Sequence, residues 1–152
     1  MRNFKAACAA GASVLALVVA SPAAAAATCH PISGEAQTFA TGPTTFAGTL
    51  TGALGGDPFS TSVMTTVTSA PQPAGASGVL FATTSHTIAL PTGTVTTSDS
   101  ARLIPTGQPG LYRIVSKVTV VGGGSGQMVF NGTVDLVGGS TGFQVHGVVC
   151  GG

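Results

Sequence analysis

Beyond residue 30, apolar and polar residues alternate along short segments rich in Thr and Val, and turns containing Gly or Pro separate these segments. Alternation with a period of two places successive side chains on opposite faces of a β-strand. Good helix formers are sparse, so the pattern predicts no long helix. The predicted strands span residues 35–41, 44–54, 60–69, 78–90, 94–104, 111–121, 127–137 and 142–149.

Eight strands joined by short turns predict an all-β meander, either closed as a small antiparallel barrel or folded as a β-sandwich. Charged residues make up only 6% of the chain. We favour the barrel, because closure removes the exposed strand edges that such a chain can hardly protect by charge.

The first 27 residues have the layout of a secretory signal peptide, with a basic start, an apolar middle over residues 6–20 and a small-residue region over 21–27. An uncleaved membrane anchor is the alternative. We favour cleavage, because the central apolar block is short and alanine is weakly hydrophobic. We therefore expect one domain over residues 28–152, no membrane span after cleavage, and a secreted or periplasmic protein.

Cys29 and Cys150 bracket the predicted domain, whereas Cys8 lies in the predicted leader. Export to an oxidising compartment predicts a Cys29–Cys150 disulfide that ties the two ends of the domain together. The three histidines lack the spacing of metal ligands, and oxidised cysteines cannot bind a metal, so we expect no metal site.

The charge balance limits the partners. Without the leader, three basic residues stand against four acidic ones, a net charge of −1 with neutral histidines. No basic patch is present to neutralise phosphates, so we expect no nucleic-acid partner. A surface with so few charges favours association, which makes a homo-oligomer a candidate state. The absence of Trp argues against a sugar-stacking platform.

Two residues are candidate catalytic groups. Alternation places His86 on the more apolar face of residues 78–90, which a barrel turns inward. A neutral imidazole there could act as a general base or donate a hydrogen bond to a ligand carbonyl. The alternative, which we favour, is a buried histidine paired with a backbone carbonyl or a hydroxyl. Tyr112, the only tyrosine, is either a lumen hydroxyl or a rim residue.

Three charged residues are candidate ligand-binding groups: Asp99, Arg102 and Arg113. Asp99 and Arg102 fall on opposite faces of a regular strand unless a bulge brings them together. We favour a solvent-side ion pair or a turn-capping aspartate over a pair in a pocket. Arg113 lies on the solvated face of residues 111–121, unless the barrel interior is the polar side.

A resemblance adds to this picture. Residues 120–126 (VVGGGSG), followed by 130–134 (FNGTV), resemble a glycine-turn hairpin of the allene oxide cyclase and dirigent β-barrel superfamily, with Gly124-Ser125 in place of the usual Thr-Gly. Residues 46–52 and 86–105 are similar to stretches of exported bacterial proteins of this barrel type.

The resemblance implies an eight-stranded barrel whose mouth or interior holds a small apolar molecule, without a cofactor. It also implies a cyclase- or isomerase-type activity, or the steering of a coupling reaction. The composition supports a second hypothesis, a non-catalytic structural or envelope-associated protein. At this point the chain is consistent with an enzyme, a ligand-binding barrel and a structural protein alike.

Overall fold

The computed structural model describes residues 27–151, so the predicted leader lies outside the described residues except for Ala27. The described chain contains eight β-strands and one short 3-10 turn, Gly75–Ser77. The strands are β1 (Thr28–Ala40), β2 (Thr45–Leu54), β3 (Asp57–Pro73), β4 (Leu80–Leu90), β5 (Gly93–Pro105), β6 (Leu111–Gly122), β7 (Ser125–Asp135) and β8 (Ser140–Gly151).

Each strand pairs antiparallel with its neighbour in the chain, and β1 also pairs with β8, so the sheet closes into a barrel. The predicted all-β barrel is confirmed, and the β-sandwich alternative is wrong. Closure leaves no unpaired edge among these strands, which suits a chain with few charged side chains. Within residues 27–151, no helix is long and apolar enough to cross a membrane.

The two ends of the barrel differ in their connections. Three tight turns, at residues 55–56, 91–92 and 123–124, lie at one end together with both termini of the described chain. We call this the clasp end. Four longer loops, at residues 41–44, 74–79, 106–110 and 136–139, lie at the opposite end, which we call the mouth.

A disulfide joins the first and last strands at the clasp end. Cys29 and Cys150 are directly opposite each other in the β1–β8 pair and are bonded, which confirms the predicted disulfide. The bond therefore crosslinks the seam where the barrel closes. Disulfides of this kind are typical of extracellular and periplasmic proteins.

Two strands are longer than their alternation predicts. β1 begins at Thr28 rather than at residue 35, because β8 provides a partner for the backbone of residues 28–34. β3 continues to Pro73, although the prolines of residues 71–73 predict a turn. Register shifts after Val67 and after Ser69 let the proline-containing segment remain beside β4, as β-bulges do at barrel rims.

Close approach between strands requires glycine on the inner face of the barrel. At Gly132 of β7, a side chain would overlap the carbonyl oxygen of Gly142 and the Cα atom of Phe143 on β8. Glycine at such positions lets the strands bend and coil strongly enough to close a small barrel.

The interior contains two apolar clusters with a polar layer between them. Along β4, Ala82 belongs to a small cluster near the mouth and Ile88 to a larger cluster toward the clasp end. Thr84 and His86 lie between them on the same face and are buried. β5 repeats this order, with Asp99 in the polar layer.

Candidate functional site

A cavity of about 70 Å³ occupies the mouth half of the barrel. Its walls are apolar and come mainly from the mouth cluster: Ala82, Ala101, Leu103, Ile114 and Val134. Its floor is formed by Thr65, Thr84, His86, Asp99, Phe130 and Phe143. A buried cavity of roughly 150 Å³ is known to accept benzene. This cavity has about half that volume, so it suits part of a small molecule whose remainder extends toward the mouth loops.

Asp99 is the buried charge of the floor, with 7% of its surface exposed. Its Oδ1 atom accepts hydrogen bonds from the backbone N–H of Thr84, at 3.1 Å, and from the Thr84 hydroxyl. Its Oδ2 atom accepts one from the Ser116 hydroxyl. Burial raises the pKa of the Asp99 carboxyl, but its interactions with His86, Ser116 and Thr84 outweigh burial, so the pKa lies below its ordinary value. Asp99 is therefore ionised at neutral pH.

His86 uses both ring nitrogens within the same network. Nδ1 lies 2.8 Å from Oγ1 of Thr65, and Nε2 lies 3.0 Å from Oγ1 of Thr84. The distance from Nε2 to Oδ2 of Asp99 is 3.7 Å, too long for a good hydrogen bond, so Thr84 bridges the two residues. This matches the hydroxyl-paired histidine that we favoured from the sequence. Catalysis by His86 stays a prediction.

Two phenylalanines fix the imidazole from the opposite side of the barrel. The ring of Phe130 meets His86 edge-on, with centroids 4.9 Å apart, and Phe143 stacks on Phe130 at 4.8 Å. These are favourable geometries for aromatic pairs. The floor is therefore polar on its β3–β6 side and aromatic on its β7–β8 side.

The predicted pairing of Asp99 with Arg102 is wrong. Asp99 points into the barrel, whereas Arg102 is exposed, with its guanidinium carbon 5.9 Å from the ring centroid of Phe81. A solvent-side or turn-capping role for Asp99 is excluded by the same burial. The regular pairing of β5 with β4 around Asp99 contains no bulge that could bring the two side chains together.

The other two candidates lie away from the cavity lining. Tyr112 is half-buried and packs against the mouth cluster without lining the cavity. Arg113 is exposed. Of the five candidate residues, only His86 and Asp99 are brought together in the site.

The hydroxyls of Thr65, Thr84 and Ser116 were not predicted from the sequence as part of the site. The position of Thr84 could have been predicted. The two-residue turn at 91–92 fixes the β4–β5 register, and this register places Thr84 opposite Asp99. Thr65 lies opposite His86 across the bulged β3–β4 pair, whose register no turn rule specifies.

No group of three or more His, Cys, Asp or Glu side chains within residues 27–151 could hold a metal ion. Comparisons of the chain with protein-family models, with curated proteins and with solved structures return no match.

Proposed function

We propose that this protein is an exported ligand-binding barrel, which holds a small apolar molecule in the cavity at its mouth. The observation that carries the proposal is the position of this cavity directly above a buried network centred on an ionised Asp99. Pockets for small ligands combine apolar walls with a few placed polar groups, and this site has that composition.

Burying an ionised network costs desolvation free energy, which a core that only maintains the fold does not need to spend. Replacing buried ionic groups by apolar side chains is often neutral or stabilising. Perturbed carboxylates beside a cavity are more frequent at functional sites. All buried side-chain polar atoms among the described residues have a hydrogen-bond partner, so the network is complete without a ligand. These observations favour a preorganised site.

The same network supports the proposed isomerase-, cyclase- or coupling-type activity. Thr65 lines the cavity, and its hydroxyl lies 2.8 Å from Nδ1 of His86. A proton leaving a bound molecule would pass through Thr65 to His86, and Asp99 would stabilise the imidazolium through Thr84. In this proposal His86 is the base and Asp99 a positioning residue.

Export is the cellular part of the proposal. It rests on the signal-like composition of residues 1–27 together with the Cys29–Cys150 disulfide. An oxidising compartment would form this bond and keep it.

Filling the cavity tests the binding proposal. Ala101→Val adds two methyl groups to the cavity wall, whereas Ala89→Val makes the same change on the exposed face of the adjacent β4 strand. We expect cyclopentane and benzene to raise the melting temperature of the wild type and of Ala89→Val, but not of Ala101→Val. Equal responses of the two variants, or no response of the wild type, would reject the proposal.

A second candidate function, a self-associating structural protein, rests on the outer wall. Phe39 and Met64 are 60% and 51% exposed, and each lies directly opposite Ala47 of β2. The three side chains form an apolar row across β1, β2 and β3. Exposed apolar rows favour contact with another surface.

A further inference from the structure

The mouth of the barrel ends in an uncharged, apolar tip. None of the four mouth loops contains a charged residue. Leu136 and Val137 are 42% and 83% exposed. The side chain of Val137 lies beside Gly110 of the neighbouring loop, and the backbone N–H of Leu136 donates to the carbonyl oxygen of Gly110 at 2.9 Å. The loops 106–110 and 136–139 therefore form one surface, which we call the apolar tip.

The three cations of residues 27–151 lie together on the outer wall behind this tip. Arg102 of β5 and Arg113 and Lys117 of β6 are all exposed. Arg102 is directly opposite Val115, midway between the two cations of β6, so it is the diagonal neighbour of both, at about 7–8 Å. None of the three forms an ion pair within the described residues. They are therefore free to contact an anionic partner.

Carboxylates near the tip do not cancel this charge. Asp135 lies beside the tip, where its Oδ1 atom accepts hydrogen bonds from the backbone N–H groups of Val137 and Gly138 at 2.9 and 2.8 Å. The exposed carboxylates of Glu35 and Asp57 lie on β1 and β3, away from the cationic wall. Cations therefore outnumber carboxylates on this side of the barrel.

The cations lie at different depths behind the tip. Arg113 is two residues and Arg102 three residues from the mouth end of its strand, about 7 and 10 Å along the chain. Lys117 is six residues from the mouth end of β6, about 20 Å. Apolar side chains at a membrane interface enter the boundary between headgroups and acyl chains to a depth of about 5–10 Å. An inserted tip would therefore bring both arginines, but not Lys117, to the level of the lipid phosphates.

We propose that the mouth of this barrel docks reversibly on a membrane that contains anionic lipids, with the apolar tip inserted and Arg102 and Arg113 at the phosphates. The proposal goes beyond ligand binding and depends on the outer surface alone. Leu136 also lines the cavity, so docking would turn the cavity toward the acyl chains. A soluble acidic polymer fits this surface less well, because it would use all three cations equally and gain nothing from the apolar tip.

Sedimentation with lipid vesicles tests the proposal. The protein is mixed with increasing amounts of vesicles made of equal parts phosphatidylcholine and phosphatidylglycerol, or of phosphatidylcholine alone. We expect it to sediment with the anionic vesicles and much less with the neutral ones. Binding should weaken in about 0.5 M sodium chloride, which screens charges beyond a few ångströms.

Two pairs of exposed variants locate the contact. Val137→Ser should weaken binding about 10-fold through the loss of apolar contact, whereas Val121→Ser, near the clasp end, should not change it. Arg113→Gln should weaken binding about 5-fold, the contribution of one cation near an anionic surface. Lys117→Gln removes the same charge farther from the tip and should have little effect.

The outcomes separate this proposal from ligand binding in the cavity. Absence of sedimentation with anionic vesicles would overturn it, as would equal binding to neutral ones. Equal losses in Arg113→Gln and Lys117→Gln would show a side-on electrostatic contact and overturn it as well. Binding to soluble polyglutamate without binding to vesicles would assign the cations to an acidic polymer instead. The thermal shifts with cyclopentane test the cavity independently, because these variants leave its lining unchanged.

Discussion

The Nε2 atom of His86 lies 3.7 Å from the Oδ2 atom of Asp99 inside the barrel, and the Thr84 hydroxyl bridges the two residues. This pair separates the apolar cluster near the mouth from the larger one near the disulfide. The carboxylate is buried but has hydrogen-bond donors on both oxygens. The pair therefore forms an ordered polar floor for the cavity.

Replacing the buried carboxylate should destabilise the protein in a pH-dependent manner. The pKa of Asp99 is lower in the folded protein than the ordinary 3.8, so its ionised form stabilises the fold above that pH, and the stabilisation is lost as pH falls through the lowered pKa. Asp99→Asn should cost about 1–3 kcal/mol at pH 7. Urea denaturation measured between pH 2 and pH 7 checks this expectation.

An exposed carboxylate provides the control for this experiment. Asp57 is the first residue of β3 and is exposed, so Asp57→Asn should change the free energy of unfolding little at any pH. The difference between wild type and Asp99→Asn should shrink below about pH 4. A difference that is constant with pH would show that Asp99 does not act through its charge.

The sequence predicted the barrel more completely than the site. Alternation in β4 and a short turn after Leu90 were enough to place His86 inside, because these features depend on local backbone geometry. The polar partners of the His86 ring come from β3, β4 and β5, and the one on β3, Thr65, lies across a bulged pair. The sequence prediction placed Asp99 on the solvent side, because it considered only the spacing between Asp99 and Arg102. Asp99 alternates with Thr97 and Ala101, which are both buried, and this pattern places it inside the barrel.

Breaking the disulfide should weaken the barrel without changing its fold. The bond between Cys29 and Cys150 closes a loop with a sequence separation of 121 residues. The chain-entropy model gives about 4–5 kcal/mol for a loop of this length, and measured values are often smaller. We expect Cys29→Ser with Cys150→Ser to melt at a lower temperature than the oxidised wild type, with the same far-ultraviolet circular dichroism. Identical melting of reduced and oxidised wild type would contradict this role.

Two glycines on neighbouring strands should respond differently to the same substitution. A Cβ atom at Gly132 would overlap backbone atoms of β8, whereas nothing lies within 4 Å of a Cβ atom at Gly142. We expect Gly132→Ala to cost about 1–3 kcal/mol, the usual range for overpacking, and Gly142→Ala to be close to neutral. Chemical denaturation of both variants checks this, and equal stabilities would mean that β7 and β8 do not approach closely at Gly132.

The apolar row on the outer wall predicts self-association. Replacing Phe39 and Met64 by serine removes the two exposed side chains of the row without touching the interior. Sedimentation velocity over a range of protein concentrations should show less association for the double variant than for the wild type. Val129→Ser, a change of similar kind at an exposed position on β7, is the control. Equal sedimentation of all three proteins would remove the support for the structural hypothesis.

The location of a bound ligand tests most directly whether the mouth cavity is a binding site. Methyl NMR spectra of the protein are recorded while cyclopentanol is added. The proposal predicts shifts that are largest at Ala82, Ala101 and Leu103, which line the cavity, and small at Val145, which lies in the cluster toward the clasp end. Shifts confined to the outer wall around Met64, or no shifts at all, would contradict it.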